Sequence, residues 1–306
     1  MSVVVVAPGQ GSQTPGFLEP WLAEPSIAEH LGALAEAAQL DLRRHGTVSD
    51  ADTIRDTAVA QPLIVAASLL AFRAVAGDRA ERLAGVAGHS VGELAAAAAA
   101  AILTESDAMV LVRERGQAMA AAAAQVATGM SAVIGGDEGE LLQKLEELGL
   151  SPANYNGGGQ LVVAGELPAL AALAENAPAG ARVIPLQVAG AFHTRFMQPA
   201  VEHLRSVADG VAVNDPALTI WTNKDGSTVT SGSAFVDLLV GQVANPVRWD
   251  LCMAAFEQAG VTGLVELAPA GALVGLAKRG LKGLPTVAVK TPDDIPAAIE
   301  LIESHA

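Results

Sequence analysis

The segment "GHSVG", residues 88–92, sets a serine between two glycines just after the short apolar run 83–87. This spacing fits G-x-S-x-G, in which a strand turns so sharply into a helix that the serine hydroxyl is presented at the corner. Small flanking residues let the two elements approach closely. The following N–H, at the helix start, can stabilise an oxyanion. The chemistry would be acyl transfer or ester hydrolysis through Ser90. The plainer alternative is that Ser90 only caps the helix, a role serine favours.

A nucleophilic serine needs a base, and the chain has six histidines. His305 sits at the terminus, His30 and His45 lie in charged, exposed-looking segments, and His203 in "AVEHLRS" reads as a helix-surface residue. His89 is adjacent to Ser90, so its side chain should point elsewhere, as a wall of the site or a satisfied core histidine. Elimination leaves His193 in "VAGAFHTRFM", after a strand and a glycine. The loop "APGQGSQ" has Gly9 and Gly11, but the third glycine of a dinucleotide fingerprint falls on Thr14 and no G-K-[ST] follows. That loop is better suited to bring a backbone N–H towards Ser90.

These residues need a frame. "SVVVVAP" and "RLAGVAGHS" read as strands, and segments 60–77, 92–103 and 106–127 as helices, with Pro62 placed in a first turn. The third helix is entered through Thr104, Ser106 or Asp107. Strands and helices in alternation suggest a parallel sheet covered by helices. Between residues 127 and 189 the order becomes βαββαβ, the ferredoxin-like pattern. The expected fold is α/β, with an α/β-hydrolase-like core (1–126 and 190–306) and an inserted ferredoxin-like small subdomain (127–189). "TIWTNKDG" and "TGLVELAP" should resume the main sheet.

The 306 residues are 51% hydrophobic, 17% charged and 3% aromatic, which describes a globular chain whose core is built from aliphatic residues. The longest unbroken apolar run, 94–103, is ten residues, half of the roughly 20 that a bilayer requires. No signal peptide is evident, and the single cysteine, Cys252, fits a cytoplasmic protein. A net charge of −15 argues against nucleic acid and anionic membranes as partners.

"PGQGSQ", "GHSVGE", "VRERGQAM", "NYNGGGQLVVAG", "GAFHTRFM", "QVANPVRW" and "ELAPAGALVGLAKR" together resemble, in order and spacing, the malonyl-CoA:acyl carrier protein transacylases. The resemblance runs from Val3 to about Lys290. It implies malonyl transfer from malonyl-CoA to a holo acyl carrier protein, for fatty acid or polyketide synthesis, with no metal or other cofactor. It implies Ser90 as nucleophile, His193 as base, and Arg115 as the partner of the malonyl carboxylate. Gln10 and Val91 would supply the oxyanion-hole N–H groups, and the backbone carbonyl of Gln242 would orient the histidine. A phenylalanine at Phe192, in "AFH", accompanies malonyl in related modular-synthase domains. One departure is visible: Ala268, Pro269 and Ala270 stand where the family usually has Gly-Pro-Gly. Lys278, Arg279 and Lys282 in "LAKRGLKG", with Arg195, offer a basic docking patch for an acidic carrier; the plainer reading is a helix end with favourable cations. A monomer is the simplest expectation. The competing functions are a serine esterase or thioesterase, and a non-catalytic carrier-protein binder.

Overall fold

The computed structural model describes residues 2–305. The β-branched run Ser2–Ala7 forms β1, and Leu83–Gly88 forms β2 beside it in parallel. Two helices that the sequence reading did not resolve follow β1: α1 (Pro25–Ala38) and α2 (Leu42–Thr47). The long helix α3 spans Thr57–Ala76, five residues deep before Pro62, because Asp56 caps it by accepting the Ala58 N–H. Pro62 therefore lies inside the helix. Residues Thr57–Arg82 have the length and apolarity of a membrane-crossing helix, and most of that stretch is buried in the protein.

Helix α4 (Gly92–Ala99) is shorter than the alanine run suggests, ending before Ala101, which sits at φ +59°. Thr104 then caps α5 (Glu105–Ala123) by accepting the Asp107 N–H. Helices α3, α4 and α5 pack on one another and supply much of the aliphatic core.

The next segment is an antiparallel sheet: β3 (Thr128–Ile134), α6 (Glu138–Leu148), β4 (Ser151–Gly157), β5 (Gln160–Glu166), α7 (Leu167–Glu175) and β6 (Arg182–Pro185). Gly149 ends α6 at φ +66°, as a left-handed C-cap should. β6 occupies only four residues of the expected 181–190 strand. The strand order is β6-β3-β5-β4, and every neighbour in it is antiparallel.

The chain then forms α8 (Gln198–Ala208) and α9 (Gly232–Gln242). β7 (Val247–Arg248) adds a parallel fifth strand beside β4, outside the 127–189 segment. α10 (Trp249–Gln258), β8 (Val261–Glu266), α11 (Ala272–Gly280), β9 (Thr286–Ala288) and α12 (Ile295–Ser304) complete the chain. The main sheet is parallel throughout, in the order β2-β1-β8-β9. "TIWTNKDG" does not form a sheet strand. Ile220 makes an isolated parallel bridge to Val86 and Trp221 an antiparallel one to Thr228, and the chain beyond them is a loop whose Asn223 is needed elsewhere.

At the departure noted in the sequence, Ala270 has φ +56°. An L-residue there costs about 1–2 kcal/mol, against about 0.5–1 kcal/mol of extra unfolded-chain entropy for glycine. Ala270→Gly should therefore raise stability by about 0.5 kcal/mol, a melting temperature about 1 °C higher. A lower melting temperature would show that the buried methyl outweighs the strain. The turn matters because it starts α11, whose first N–H groups, on Gly271, Leu273 and Val274, donate to the buried Glu266 carboxyl.

Candidate active site

Ser90 sits at the corner between β2 and α4 with φ +54°. Such a backbone costs about 1–3 kcal/mol and persists only where surrounding structure enforces it. Two observations show the enforcement. A Cβ on Gly88 would lie 2.0 Å from the Gly92 carbonyl carbon, and one on Gly92 would lie 2.2 Å from the Ala7 oxygen. The Ser90 N–H also donates to Asn223 Oδ1 at 2.7 Å, while Asn223 Nδ2 donates to the Gly88 carbonyl. The strand, the helix and the 222–226 loop thus clamp the serine.

Ser90 Oγ lies 2.7 Å from His193 Nε2. His193 Nδ1 donates to the Gln242 carbonyl at 2.9 Å, which fixes the tautomer and leaves Nε2 to accept the serine proton. His193 is itself at φ +62°, held by its N–H to the Val243 carbonyl. Burial, reinforced by the Arg115 charge, pushes its pKa down to about 3, so the imidazole is neutral at ordinary pH. Among the described residues no carboxylate hydrogen-bonds this histidine; a backbone carbonyl takes that position, unlike the Ser-His-Asp template.

Arg115 reaches the same point from α5. It is 1% exposed. Its Nη1 donates to Gln61 Oε1 at 2.7 Å, and its Nη2 to Gln242 Oε1 at 2.9 Å and to Ser90 Oγ at 3.3 Å. Its Nε–H is buried without a partner. Burial lowers the Arg115 pKa to about 10, and Glu93 partly restores it. The guanidinium is still charged at neutral pH, and its Nη2 lies beside the Ser90 hydroxyl. Arg113, two residues away, instead pairs with Glu114 and takes no part.

A cavity of about 380 Å³ opens over the serine, between the two sheets. Gln10, Val91, His89 and Phe192 all line it. Among the described residues the N–H groups of Gln10 and Val91 have no protein acceptor, whereas the N–H groups of Gly92 and Glu93 are taken by His89 and Ser90 carbonyls. His89 lines the cavity half-buried and hydrogen-bonded: Nε2 lies 3.0 Å from Asn156 Oδ1, and its ring meets Trp249 edge-on. Phe192 is 5% exposed beside the base. Arg279, at the end of α11, reaches the cavity rim; Lys278, Lys282 and Arg195 are exposed, with Arg195 lying over the Phe196 ring.

Three residues of this site escaped the sequence reading. Gln61 and Asn223 are ordinary amides in ordinary segments, and only the fold brings them in. Glu93 left a trace: it is the single charged residue of an otherwise apolar helix.

The fold and this site are those of an acyl transferase, and residues 4–296 match the acyl transferase domain family. A malonyl CoA-acyl carrier protein transacylase of Mycobacterium tuberculosis is 53% identical over 297 residues, spanning 96% of this chain and 98% of that protein. The crystal structure of MCAT from the same organism is similar with a TM-score of 0.94 at 51% identity, covering 98% of this chain and all of that one. A malonyl-transacylase solved in complex with its type II polyketide synthase acyl-carrier protein gives a TM-score of 0.93 at 30% identity, covering 98% of this chain and 100% of that chain. The chain belongs to the malonyl CoA-acyl carrier protein transacylase family.

Proposed function

We propose that this protein transfers the malonyl group of malonyl-CoA to the phosphopantetheine thiol of an acyl carrier protein through a malonyl-serine ester. The observation that carries this reading is a buried guanidinium 3.3 Å from a serine hydroxyl that is itself 2.7 Å from a neutral imidazole. A simple esterase has no use for that cation. A free carboxylate one carbon from the thioester does, because charge-assisted hydrogen bonds to arginine are strong and directional.

The cycle has two halves. His193 Nε2 takes the Ser90 proton as Oγ bonds to the thioester carbon, and the N–H groups of Gln10 and Val91 hold the oxyanion. The carbon–sulfur bond then breaks, and the proton passes from His193 to the departing sulfur, giving CoA thiol. In the second half the pantetheine thiol gives its proton to His193 and its sulfur attacks the ester. Ser90 leaves and recovers the proton. Phe192 crowds the malonyl α-carbon and so favours malonyl over α-branched groups. The reading places the enzyme in the cytoplasm and takes 127–189 as the small unit that roofs the cleft, with β7 lent by the large one.

Intact-protein mass spectrometry after mixing with malonyl-CoA, then a chase with holo acyl carrier protein, tests it. A malonyl adduct that moves to the carrier is expected. An adduct lost only to water would favour a thioesterase, and no adduct on the folded protein would favour a binder.

Lys278, Arg279, Lys282 and Arg195 are read as the landing site of the acidic carrier on a chain whose net charge is −15. Raising salt to about 0.5 M should then slow transfer to the carrier at least about fivefold, while acylation by malonyl-CoA changes little. Equal sensitivity of the two half-reactions would remove the patch from docking.

A further inference from the structure

Glu93 is 1% exposed, on the first turn of α4, and the mechanism above does not use it. Its two oxygens accept hydrogen bonds of 2.6 Å from the Asn223 N–H and from Gln242 Nε2. Those are the two residues that hold the site: Asn223 fixes the Ser90 N–H, and Gln242 presents Oε1 to Arg115 and its carbonyl to His193. Glu93 and Arg115 are thus joined through one amide, Arg115 Nη2 to Gln242 Oε1 and Gln242 Nε2 to Glu93.

We propose that Glu93 is a positioning residue that sets how much of the Arg115 charge is available to substrate. Protonated, it holds Gln242 and Asn223 in place and leaves the guanidinium to the malonyl carboxylate. Ionised, it gives Arg115 a built-in counter-charge that competes with that carboxylate. The inference rests on the malonyl reading given above.

Charge balance in a dry site is the reason. A buried cation tolerates one buried anion far better than two. Burial raises the Glu93 pKa to about 8, against the lowering effect of the Asn223 N–H and of Arg115. Below that pH the carboxyl is neutral and Arg115 meets malonyl unopposed. Above it the carboxylate forms and malonyl affinity falls, by up to about tenfold per pH unit if only the protonated form binds malonyl.

The titratable neighbours on the packed elements move out of this window. Burial lowers the pKa of His193, in the loop after β6, to about 3 and also depresses that of His89 beside the serine. It raises the Cys252 thiol on α10, and likewise the Tyr155 hydroxyl on β4. A second cavity, of about 430 Å³, lies behind the site and is lined by Glu93, Gln242, Thr222 and the charged side chains of Lys224, Asp237 and Arg248, the last paired with Asp250. Glu93 lines this back cavity and not the substrate cavity.

The test is the pH dependence of single-turnover acylation of Ser90 by malonyl-CoA and by acetyl-CoA. Both substrates share His193, the oxyanion hole and the CoA arm, so their rate ratio isolates the carboxylate. The malonyl-to-acetyl ratio should fall at least about threefold between pH 7 and pH 9 in the unaltered protein. It should be flat in Glu93→Gln, and also in Arg115→Ala, which retains Glu93 and every charge of the back cavity. A flat ratio in the unaltered protein would overturn the proposal, as would the same fall in Arg115→Ala. Those two proteins decide the matter even if Glu93→Gln does not fold. Absence of any malonyl adduct at every pH would instead count against the malonyl reading itself.

Discussion

Ser90→Ala should abolish the malonyl adduct and lower malonyl transfer by a factor on the order of 10⁵, the scale on which loss of a nucleophile acts when the rest of the site survives. The site should survive. Among the described residues Ser90 Oγ hydrogen-bonds only to His193 Nε2 and Arg115 Nη2, whereas the corner is held by the Asn223–Ser90 N–H bond and by the close approach at Gly88 and Gly92. Alanine at φ +54° carries the same backbone strain as serine. Circular dichroism and melting should therefore be nearly unchanged while the adduct disappears from the mass spectrum. A malonyl group still found on Ser90→Ala would move the nucleophile elsewhere.

Arg115→Ala should reduce malonyl acylation at pH 7 by roughly 10–150-fold, the equivalent of the ~1.5–3 kcal/mol that hydrogen bonds to a charged group contribute. Acetyl acylation should fall much less, because the acetyl group has no carboxylate. The residual acetyl loss has a structural source. Without the guanidinium, Gln61 Oε1 and Gln242 Oε1 lose their donor, and the Gln242 side chain is then held from its Nε2 side alone, by Glu93, Asn223 and the Ser90 carbonyl. His193 is buffered against that change, since it is held by the Gln242 main-chain carbonyl and not by the side chain. Arg115→Lys keeps a charge but not the fork, and should recover only part of the malonyl rate. Equal losses for malonyl and acetyl would show that Arg115 serves the architecture and not the substrate.

Glu93 ionisation and Arg115 removal act on selectivity in the same direction but differ in pH dependence. Glu93 ionisation should weaken malonyl selectivity as pH rises, and arginine removal should weaken it at all pH values. Measuring both separates a charge effect from a packing effect at the same site.

What the sequence determined by itself was whatever is local along the chain. The corner at Ser90 was legible because G-x-S-x-G records a steric requirement that is local at Gly88, where a Cβ would meet Gly92, although the want of room at Gly92 comes from Ala7 of the neighbouring strand. The α/β alternation and the βαββαβ order were legible for the same reason, each being built from patterns local to successive elements. Elements whose limits depend on distant neighbours were not. The alanine run reads as helix through residue 103 but stops at Ala99, where Ala100 and Ile102 engage the 214–217 segment through backbone hydrogen bonds. "TIWTNKDG" has strand composition, yet its backbone is drawn into a loop that delivers Asn223 to Ser90, 133 residues away.

Within the site the same division holds. Elimination among histidines reached His193, and family resemblance reached Arg115, Gln10, Val91 and Gln242, but no spacing rule connects residues 10, 61, 90, 93, 115, 193, 223 and 242. Tertiary structure alone decided that a lone glutamate in an alanine helix and an amide in a turn would converge behind the serine. The physical reason is that burial, and not chain position, sets their chemistry. The same carboxyl on a solvated helix face would be an ordinary anion. Enclosed by α4, α9, α10 and the 222–226 loop, it has its pKa raised to about 8 beside a buried arginine.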